Sequence, residues 1–497
     1  MSTTNTDPIT PAPLTDIELN PITLNPSKEN DPYLVAFAEP YDPENPKDWH
    51  TGRKWAVTDV MSATEFNRIM VSTIMAPALS TIAKEFDMSS AQSAMALSIY
   101  LLATAIGPLF IGPLSEVYGR RPVLHGSNLW FLVWNLVCGF ANSKELLIAS
   151  RFLAGFGASV IYSLSSGVLG DVWRPEQRGS SLAVYQLIPL LGAAVGPIIG
   201  GFMAGRTTWR WMFWSTSIFQ AVMILVSFFV FKETYAPLIL AKRAERLRCE
   251  ANEPLYKTAD ERLYGHKSPL FVLCRALVRP LRLLAFHPII QIAAVISAFY
   301  YGVLYIVISS FSSLWTENYN QSVELSGLHY IGIAIGEILG SQITARLVDK
   351  LYRHYTVTLG RQHAPESRLP MEILGSLLAP FGLIFYGWTA QYRLHWAIVD
   401  IAMIIAMAGL QSNGMPMQAF VIEAYPDHVS SAIGARQCVM SLTAFCFPLF
   451  APSMYATLGY GWANSTIAFV GLLLGLPAPF ALWYWGEGLR VRARSSY

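Results

Sequence analysis

The sequence is poor in charged residues. Asp, Glu, Lys and Arg make up 14% of the 497 residues, whereas hydrophobic residues make up 53%. A soluble protein carries about 25% charged residues, because its surface must be compatible with water. The apolar residues also fall in runs of about 20, the length of a helix that crosses a bilayer. These features exclude a water-soluble globule, a disordered chain and a coiled coil, and they predict an all-α polytopic membrane protein.

Other signals are missing as well. The five cysteines form no CxxC pair, so neither a disulfide framework nor a metal site is indicated, and we expect no cofactor. The formal net charge is only +2, which argues against a nucleic-acid partner. HExxH and GxSxG motifs are absent, and His287, His329 and His395 lie at the ends of apolar runs, where interfacial positions are expected. A membrane-embedded enzyme is therefore only a distant alternative to a non-enzymatic transporter.

The apolar runs number twelve and fall into two groups of six. They are residues 57–79, 94–114, 124–141, 147–168, 181–204 and 211–231, then 288–311, 327–347, 371–388, 396–424, 430–453 and 463–485. We therefore predict an N-terminal half (51–231), a linker loop (232–287) and a C-terminal half (288–485). Residues 1–50 lack the apolar region of a signal peptide and are predicted to be a disordered tail, and 486–497 a second tail.

Basic residues predict the orientation. With both chain ends in the cytoplasm, only five of the 35 Lys and Arg fall on outer loops: Lys84, Lys144, Arg206, Arg210 and Arg393. The positive-inside rule favours this arrangement. It also places the two glycosylation sequons, at Asn320 and Asn464, on the outside. We expect a multi-pass plasma-membrane monomer, with the vacuolar membrane as the alternative, and a basic linker helix around 242–248 on the anionic inner leaflet.

Three strings stand out in the first half. They are GPLSEVYGRRP at 112–122, RFLAGFGA at 151–158 and GAAVGPIIGG at 192–201. In the first, Gly112 predicts a close helix approach and Gly119 a tight turn. Glu116 is predicted to pair with Arg120 or Arg121, or to face a helix N-terminus. The alternative is that the two arginines only hold this loop in the cytoplasm.

The other two strings lie within predicted spans. Arg151 in a span is costly unless it faces a cavity or a partner, the alternative being a side chain that extends to the interface. Gly192, Gly196 and Gly200 recur at every fourth position and predict a flat strip for close helix packing. Pro197 favours a kink, and Gly201 completes the string.

These strings resemble signature motifs of the major facilitator superfamily. The resemblance narrows to the fungal twelve-span drug:proton antiporters through NPKDW at 45–49, WRWMFW at 209–214, ETYAP at 233–237, PESRLP at 365–370 and FPLF at 447–450. It implies a conformational switch at 112–122, proton transfer at Arg151 and export through the third string. Two departures are Glu116 in place of an aspartate, and Arg436 and Met440 where the family commonly has Asn and Arg.

Two acidic residues in the predicted spans are candidate proton carriers. Glu65, Arg68 and Ser72 share one helix face, so Glu65 is either a proton site or a self-neutralised partner of Arg68. Glu337 lies among glycines without a nearby cation in sequence, which makes it a proton site or a group in a tight helix interface. Both readings stay open for both residues.

Polar residues in later spans predict a substrate cavity. The candidates are Gln186, Tyr301, Tyr305, Gln411, Asn413 and Gln418, with a broken helix near Gly414 and Pro416. The combined hypothesis is a proton-coupled exporter of a small drug, toxin or secondary metabolite that works by alternating access. A proton symporter for uptake of a nutrient or organic acid is the main alternative.

Overall fold

The computed structural model is helical almost throughout. It describes residues 33–264, 269–358, 365–425 and 429–494. The described residues contain one small sheet, in which β1 (Leu34–Val35) pairs in parallel with β2 (Lys257–Thr258). Each predicted apolar run coincides largely with a helix, which confirms the all-α fold class.

The N-terminal half contains eight helices, of which one is short. They are α1 (Thr51–Thr73), α2 (Leu79–Glu85), α3 (Ser90–Val117), α4 (Arg120–Gly139), α5 (Lys144–Ala158), α6 (Val160–Val172), α7 (Pro175–Arg206) and α8 (Arg210–Val230). The predicted fourth span is thus two helices, α5 and α6, which meet at Ser159. The Ser89 hydroxyl and the Gln92 side chain form a reciprocal capping box that starts α3.

The linker is helical beyond the basic helix predicted around 242–248. It contains α9 (Ala236–Ala251), α10 (Ala259–Tyr264) and α11 (Pro269–Phe286). Part of the predicted disordered tail is ordered as well, because Asp42 accepts a hydrogen bond from Arg243 on α9 at 2.6 Å. Arg246 on α9 likewise binds Glu44 at 2.7 Å. Two of the basic residues expected on lipid therefore hold the N-terminal segment.

The C-terminal half contains α12 to α17. They are α12 (Pro288–Ser313), α13 (Val323–Thr358), α14 (Pro370–Gln391), α15 (Trp396–Ala424), α16 (Val429–Gly475) and α17 (Pro477–Arg494). Within α16 the helix direction changes at Gly459, whose φ of 68° lies in the left-handed region that glycine adopts readily. The predicted break of α15 near Gly414 and Pro416 is wrong, because the helix is continuous there.

By length and composition, eight helical stretches in the described part are long and apolar enough to cross a membrane. The count joins α5 with α6 and α16 with α17. Helix α1 is not among them, since its charged residues, Arg53, Lys54, Asp59, Glu65 and Arg68, interrupt every apolar window. Twelve crossings therefore stay a prediction.

The most extensive contacts between the two halves are made by two helix pairs, α3 with α16 and α7 with α13. In the first pair, the Thr104 hydroxyl donates to the Ser441 hydroxyl at 3.2 Å. In the second, Arg206 binds Glu324 at 3.3 Å near the ends of the helices that lie away from the linker. We call the end of the bundle that carries α9 the linker side and the opposite end the far side.

Candidate functional site

Among the described cations of the N-terminal half, Arg151 is the most completely enclosed. Its side chain has no exposed surface. The guanidinium donates to the carbonyl oxygens of Val71 (2.9 Å), Leu97 (3.2 Å) and Ala96 (3.3 Å), and it lies 4.8 Å from the ring centre of Tyr100. The Val71 carbonyl belongs to the last turn of α1, where helical carbonyls lack intrahelical partners and carry partial negative charge. Arg151 thus ties α1 and α3 to α5, and it does not extend to the interface.

Arg68 does not pair with Glu65. It is buried and donates to the side-chain oxygen of Asn128 and, at 3.3 Å, to the carbonyl oxygen of Ala158. One carboxylate oxygen of Glu65 is enclosed without a hydrogen-bond partner among the described residues. The two residues share a helix face as predicted, yet Arg68 turns to α4 and the end of α5. Glu65 and Arg68 therefore do not form the self-neutralised ion pair that was one of the two sequence-based alternatives.

The predicted switch string is built around Arg120 rather than Glu116. Arg120 lies 3.4 Å from the Asp171 carboxylate, and its guanidinium stacks 4.9 Å from the ring centre of Tyr235. Glu116 is exposed and forms no ion pair with Arg120 or Arg121, although it interacts electrostatically with Arg120. The reason is geometric: Glu116 is still in the last turn of α3, and the chain reverses at Gly119 before Arg120 begins α4.

The two glycines of this string differ in role. Gly119 has φ of 96°, as the predicted tight turn requires, and a Cβ there would lie 2.5 Å from a Glu233 oxygen. A Cβ at Gly112 would meet only the Ser163 Cβ at 3.6 Å, an ordinary contact. The close helix approach predicted at Gly112 instead occurs one and a half turns earlier at Gly107, where a Cβ would lie 1.9 Å from the Ser159 hydroxyl.

The glycine strip of α7 packs directly against the α1 backbone. A Cβ would lie 2.7 Å from the Phe66 carbonyl oxygen at Gly192, 2.7 Å from that of Met70 at Gly196 and 2.0 Å from that of Ile74 at Gly200. These contacts confirm the predicted flat strip. Helix α7 continues through Pro197.

Gly201 and Pro197 face the other half of the protein. A Cβ at Gly201 would lie 3.1 Å from the Gly327 Cα on α13, and a Cβ at Gly327 would lie 3.0 Å from the Pro197 carbonyl oxygen. Backbone thus approaches backbone across the boundary between the halves. The third string therefore places one helix of the N-terminal half against both α1 and α13.

A cavity of about 180 Å³ lies within the C-terminal half, among α12, α13, α15 and α16. Its lining combines aromatic, methionine and polar side chains with one acid and one base. The lining residues are Ser297, Tyr300, Tyr301, Leu304, Glu337, Met407, Leu410, Gln411, Gly414, Met415, Gln418, Arg436 and Met440. Four of the predicted site residues, Tyr301, Glu337, Gln411 and Gln418, thus meet at one place.

Glu337 and Arg436 give this cavity its polarity. Both are largely buried, with 6% and 5% of their surface exposed. Arg436 donates to the Ser297 hydroxyl at 3.0 Å and to the Gln418 side-chain oxygen at 3.1 Å. Glu337 forms no ion pair with a described residue. An apolar chamber with a few convergent polar groups is typical of small-molecule sites.

Comparison with known proteins identifies the family. The model of the Major Facilitator Superfamily matches residues 61–426, about three quarters of the chain. The chain belongs to the Major Facilitator Superfamily. Among curated proteins it is 53% identical to the probable efflux pump mfs2 of Aspergillus flavus, covering 85% of this chain and 100% of that protein. It is 40% identical to the efflux pump vrtL of Penicillium aethiopicum, covering 97% and 96%.

Solved structures agree on the fold. The partially occluded inward-open xylose transporter XylE from E. coli superposes with a TM-score of 0.64 over 87% of this chain and 99% of that one, at 15% identity. At that identity the likeness concerns the fold. This facilitator therefore has the predicted superfamily architecture, and the two curated relatives named above are fungal, as the narrower resemblance indicated.

Two predicted cavity residues of this facilitator lie elsewhere, and one is outside the described side chains. Tyr305 is buried against Tyr301, with ring centres 5.2 Å apart, in a cluster with α3 and α5 side chains. Asn413 points away from the cavity and donates to the Ser376 hydroxyl on α14 at 2.7 Å. Asn413 and Gln411 are two positions apart, so they lie on different faces of the helix. The side chain of Gln186 is not among those that the structure describes.

The two sequons of the facilitator also differ. Asn320 is exposed on the short segment before α13. Asn464 has no exposed surface, and its amide donates to the Tyr460 carbonyl oxygen at 2.9 Å. A buried and hydrogen-bonded amide is no glycan acceptor, so the expectation for Asn464 is wrong. Modification of Asn320 stays a prediction.

Two polar groups, one half-buried and one fully buried, were not predicted from the sequence. His329 is not simply interfacial: its ring stacks on Trp315 at 3.6 Å and bonds Asp400 at 2.8 Å. Glu372, in the first turn of α14, has no exposed surface, and neither of its oxygens has a hydrogen-bond partner among the described residues. An acidic residue within an apolar run, the signal that flagged Glu65 and Glu337, was also present at Glu372.

Proposed function

We propose that this protein exports small organic compounds across a membrane in exchange for protons, by alternating access between its two halves. The observation that carries the proposal is the cavity of the C-terminal half, in which the acid Glu337 faces aromatic and amide side chains. Family membership supports transport over membrane-embedded enzyme chemistry. The names of the two fungal relatives, both efflux pumps, support the outward direction.

Glu337 suits the exchange of a proton for a substrate. A carboxylate removed from water is costly unless a proton, a cation or hydrogen-bond donors compensate it. No described residue supplies an ion pair, so either a proton or a donor group on the substrate fills this role. Because the two compete for one carboxylate, loading of a proton favours release of substrate. An inward proton gradient would then drive substrate outward.

The N-terminal half supplies the rigid element of the cycle. Arg151 holds the end of α1 through the Val71 carbonyl, and the glycine strip holds α7 against the same helix. At Gly201 and Gly327, the backbones of α7 and α13, one helix from each half, are in direct contact. A ligand that binds one arrangement of the halves more tightly shifts the equilibrium toward it. We assign Arg151 and Arg68 to holding the N-terminal half, with Glu65 as a second candidate proton carrier.

The orientation and membrane are part of the proposal. Both chain ends and the linker lie in the cytoplasm, the far side faces outward, and the protein is a plasma-membrane monomer. An epitope tag at either end should react with antibody only after the cells are permeabilised. Reaction in intact cells would overturn this orientation.

An export assay tests the function. Fungal cells lacking their own efflux pumps, with and without this protein, are loaded with a panel of labelled aromatic toxins. We expect faster loss of some compounds from expressing cells, and a protonophore should abolish the difference. Faster accumulation instead of loss would support the uptake symporter. Equal loss with and without protonophore would contradict proton coupling.

A further inference from the structure

Arg436 is a cation on the cavity wall that forms no ion pair with a described residue. Its two hydrogen bonds go to neutral partners, the Ser297 hydroxyl and the Gln418 side-chain oxygen. A guanidinium has more N–H donors than these bonds use. No described carboxylate forms an ion pair with it. The remaining donors are therefore available to a ligand in the cavity that Arg436 lines.

Two acidic residues lie near Arg436 and could affect its charge. Glu372 on α14 interacts electrostatically with Arg436, yet its oxygens are enclosed without a hydrogen-bond partner among the described residues. Glu337 lines the same cavity on α13. Neither carboxylate takes the place of the Ser297 hydroxyl or the Gln418 side-chain oxygen as a hydrogen-bond acceptor for Arg436. Ser297 and Gln418 therefore hold the Arg436 guanidinium in place, and its remaining N–H groups stay available to a ligand.

The rest of the wall suits a flat apolar body. Tyr301 supplies a ring, and Met407, Met415 and Met440 supply soft, adaptable surface. Interactions between buried charges are only weakly screened, so a buried guanidinium strongly favours acceptor oxygens and opposes a second cation.

We propose that Arg436 makes this cavity selective for aromatic compounds that carry an acceptor oxygen (a carbonyl, carboxylate or phenolate) and makes it reject organic cations. This assignment rests on the proposed function, because it treats the cavity as the substrate site. Glu337 then accepts from a donor group on the same compound when it is not protonated. Without Arg436, Glu337 is the only charged group among the described residues that line the cavity, and cations become the preferred ligands.

Three probes with one scaffold test the proposal. They are 2-naphthoate, methyl 2-naphthyl ketone and 2-naphthylmethylammonium, and binding to the purified full-length protein is followed by naphthalene fluorescence. We expect the wild type to bind the first two at least about tenfold more tightly than the cation, the scale of a hydrogen bond to a charged group. The Arg436→Gln variant should reverse this order. Arg393→Gln, in an exposed loop of the same half, should behave as the wild type does.

The other possible results of these binding measurements also test the proposal. Equal or tighter binding of the cation by the wild type, or no binding of any probe, overturns the proposal, as does an unchanged order in Arg436→Gln. If Arg436→Gln does not fold, Arg436→Lys keeps the charge but loses the planar donors. It should then retain rejection of the cation and bind 2-naphthoate about tenfold more weakly; wild-type affinity for 2-naphthoate would overturn the proposal. Selective binding without export from cells would contradict the efflux function alone.

Discussion

The carboxylate of Glu233, at the start of the linker, caps the helix that Arg120 begins. Its oxygens accept the backbone N–H groups of Arg120 at 2.9 Å and of Arg121 at 3.2 Å. A carboxylate at this position satisfies helical donors that lack intrahelical partners and complements the positive end of the helix dipole. The linker is thereby attached to the turn between α3 and α4. Gly119 is required there because a side chain would displace the carboxylate.

Replacing Glu233 by Gln should weaken this attachment. Gln keeps the shape but offers one acceptor oxygen and no charge, so we expect a loss of about 1 kcal/mol of stability, typical of a lost helix cap. Thermal unfolding of the purified protein measures it. Glu245→Gln, at an exposed position on α9, is the matched control and should leave the unfolding temperature unchanged. Equal unfolding temperatures for both variants would contradict the capping role.

The glycine strip gives a second prediction. A Cβ at Gly200 would lie 2.0 Å from the Ile74 carbonyl oxygen, so Gly200→Ala must push α7 away from α1. We expect a loss of about 1–3 kcal/mol, the usual range for overpacking, together with reduced export. At Gly126 on α4 an added Cβ meets nothing within 4 Å. Gly126→Ala should therefore be neutral or slightly stabilising, since Ala is the better helix former. Comparable losses in both variants would show that packing against α1 is not the cause.

The third prediction concerns pH and the N-terminal segment. A hydrogen bond from Arg174 lowers the pKa of Asp48 below its ordinary value of 3.8, the two side chains being 2.6 Å apart. A carboxylate with a lowered pKa stabilises the folded state above its ordinary pKa, and this contribution is lost as the pH falls through the folded-state pKa. Asp48→Asn should therefore unfold at a lower temperature than the wild type at pH 7. The difference should shrink as the pH falls below about 4.

Thermal melts across this pH range provide the measurement. A difference that stayed constant down to the lowest pH would attribute the effect of Asp48→Asn to packing rather than to the ion pair. Arg174→Gln removes the same pair from the other side. It should give the same pH dependence, because Arg174 is the main cause of the lowered pKa.

Most of the fold was predictable because its signals are local. Runs of about 20 apolar residues predict helices that suit a bilayer, whatever their neighbours are. The glycine strip was predictable for the same reason, since a four-residue repeat fixes one helix face. The basic helix of the linker was predicted within α9, but α10, α11 and the ordered segment 33–49 were missed. The order of that segment depends on contacts such as Arg243 with Asp42, which lie far apart in sequence.

In the candidate site, too, local sequence signals predicted some residues, whereas others depend on contacts far apart in sequence. Polar residues within apolar runs predicted Glu337, Gln411 and Gln418, but this signal could not distinguish Asn413, whose side chain lies on a different face of α15 from Gln411. Arg120 was expected to pair with a neighbour in sequence, and it pairs with Asp171 on another helix instead. Partners of long side chains are set by helix packing, which spacing within one helix does not reveal. Arg436 was noted only as a departure from a pattern, and its place in the cavity emerged from the fold.

The central claim is that Glu337 couples the proton to the substrate. Glu337→Gln cannot release a proton, but it keeps the shape of the side chain. Proteoliposomes containing this variant should still exchange labelled for unlabelled substrate, because exchange needs only substrate binding and movement of the halves. They should no longer accumulate substrate when a pH gradient is imposed. Glu317→Gln, at an exposed position, should retain both activities. Gradient-driven accumulation by Glu337→Gln at the wild-type rate would contradict the account.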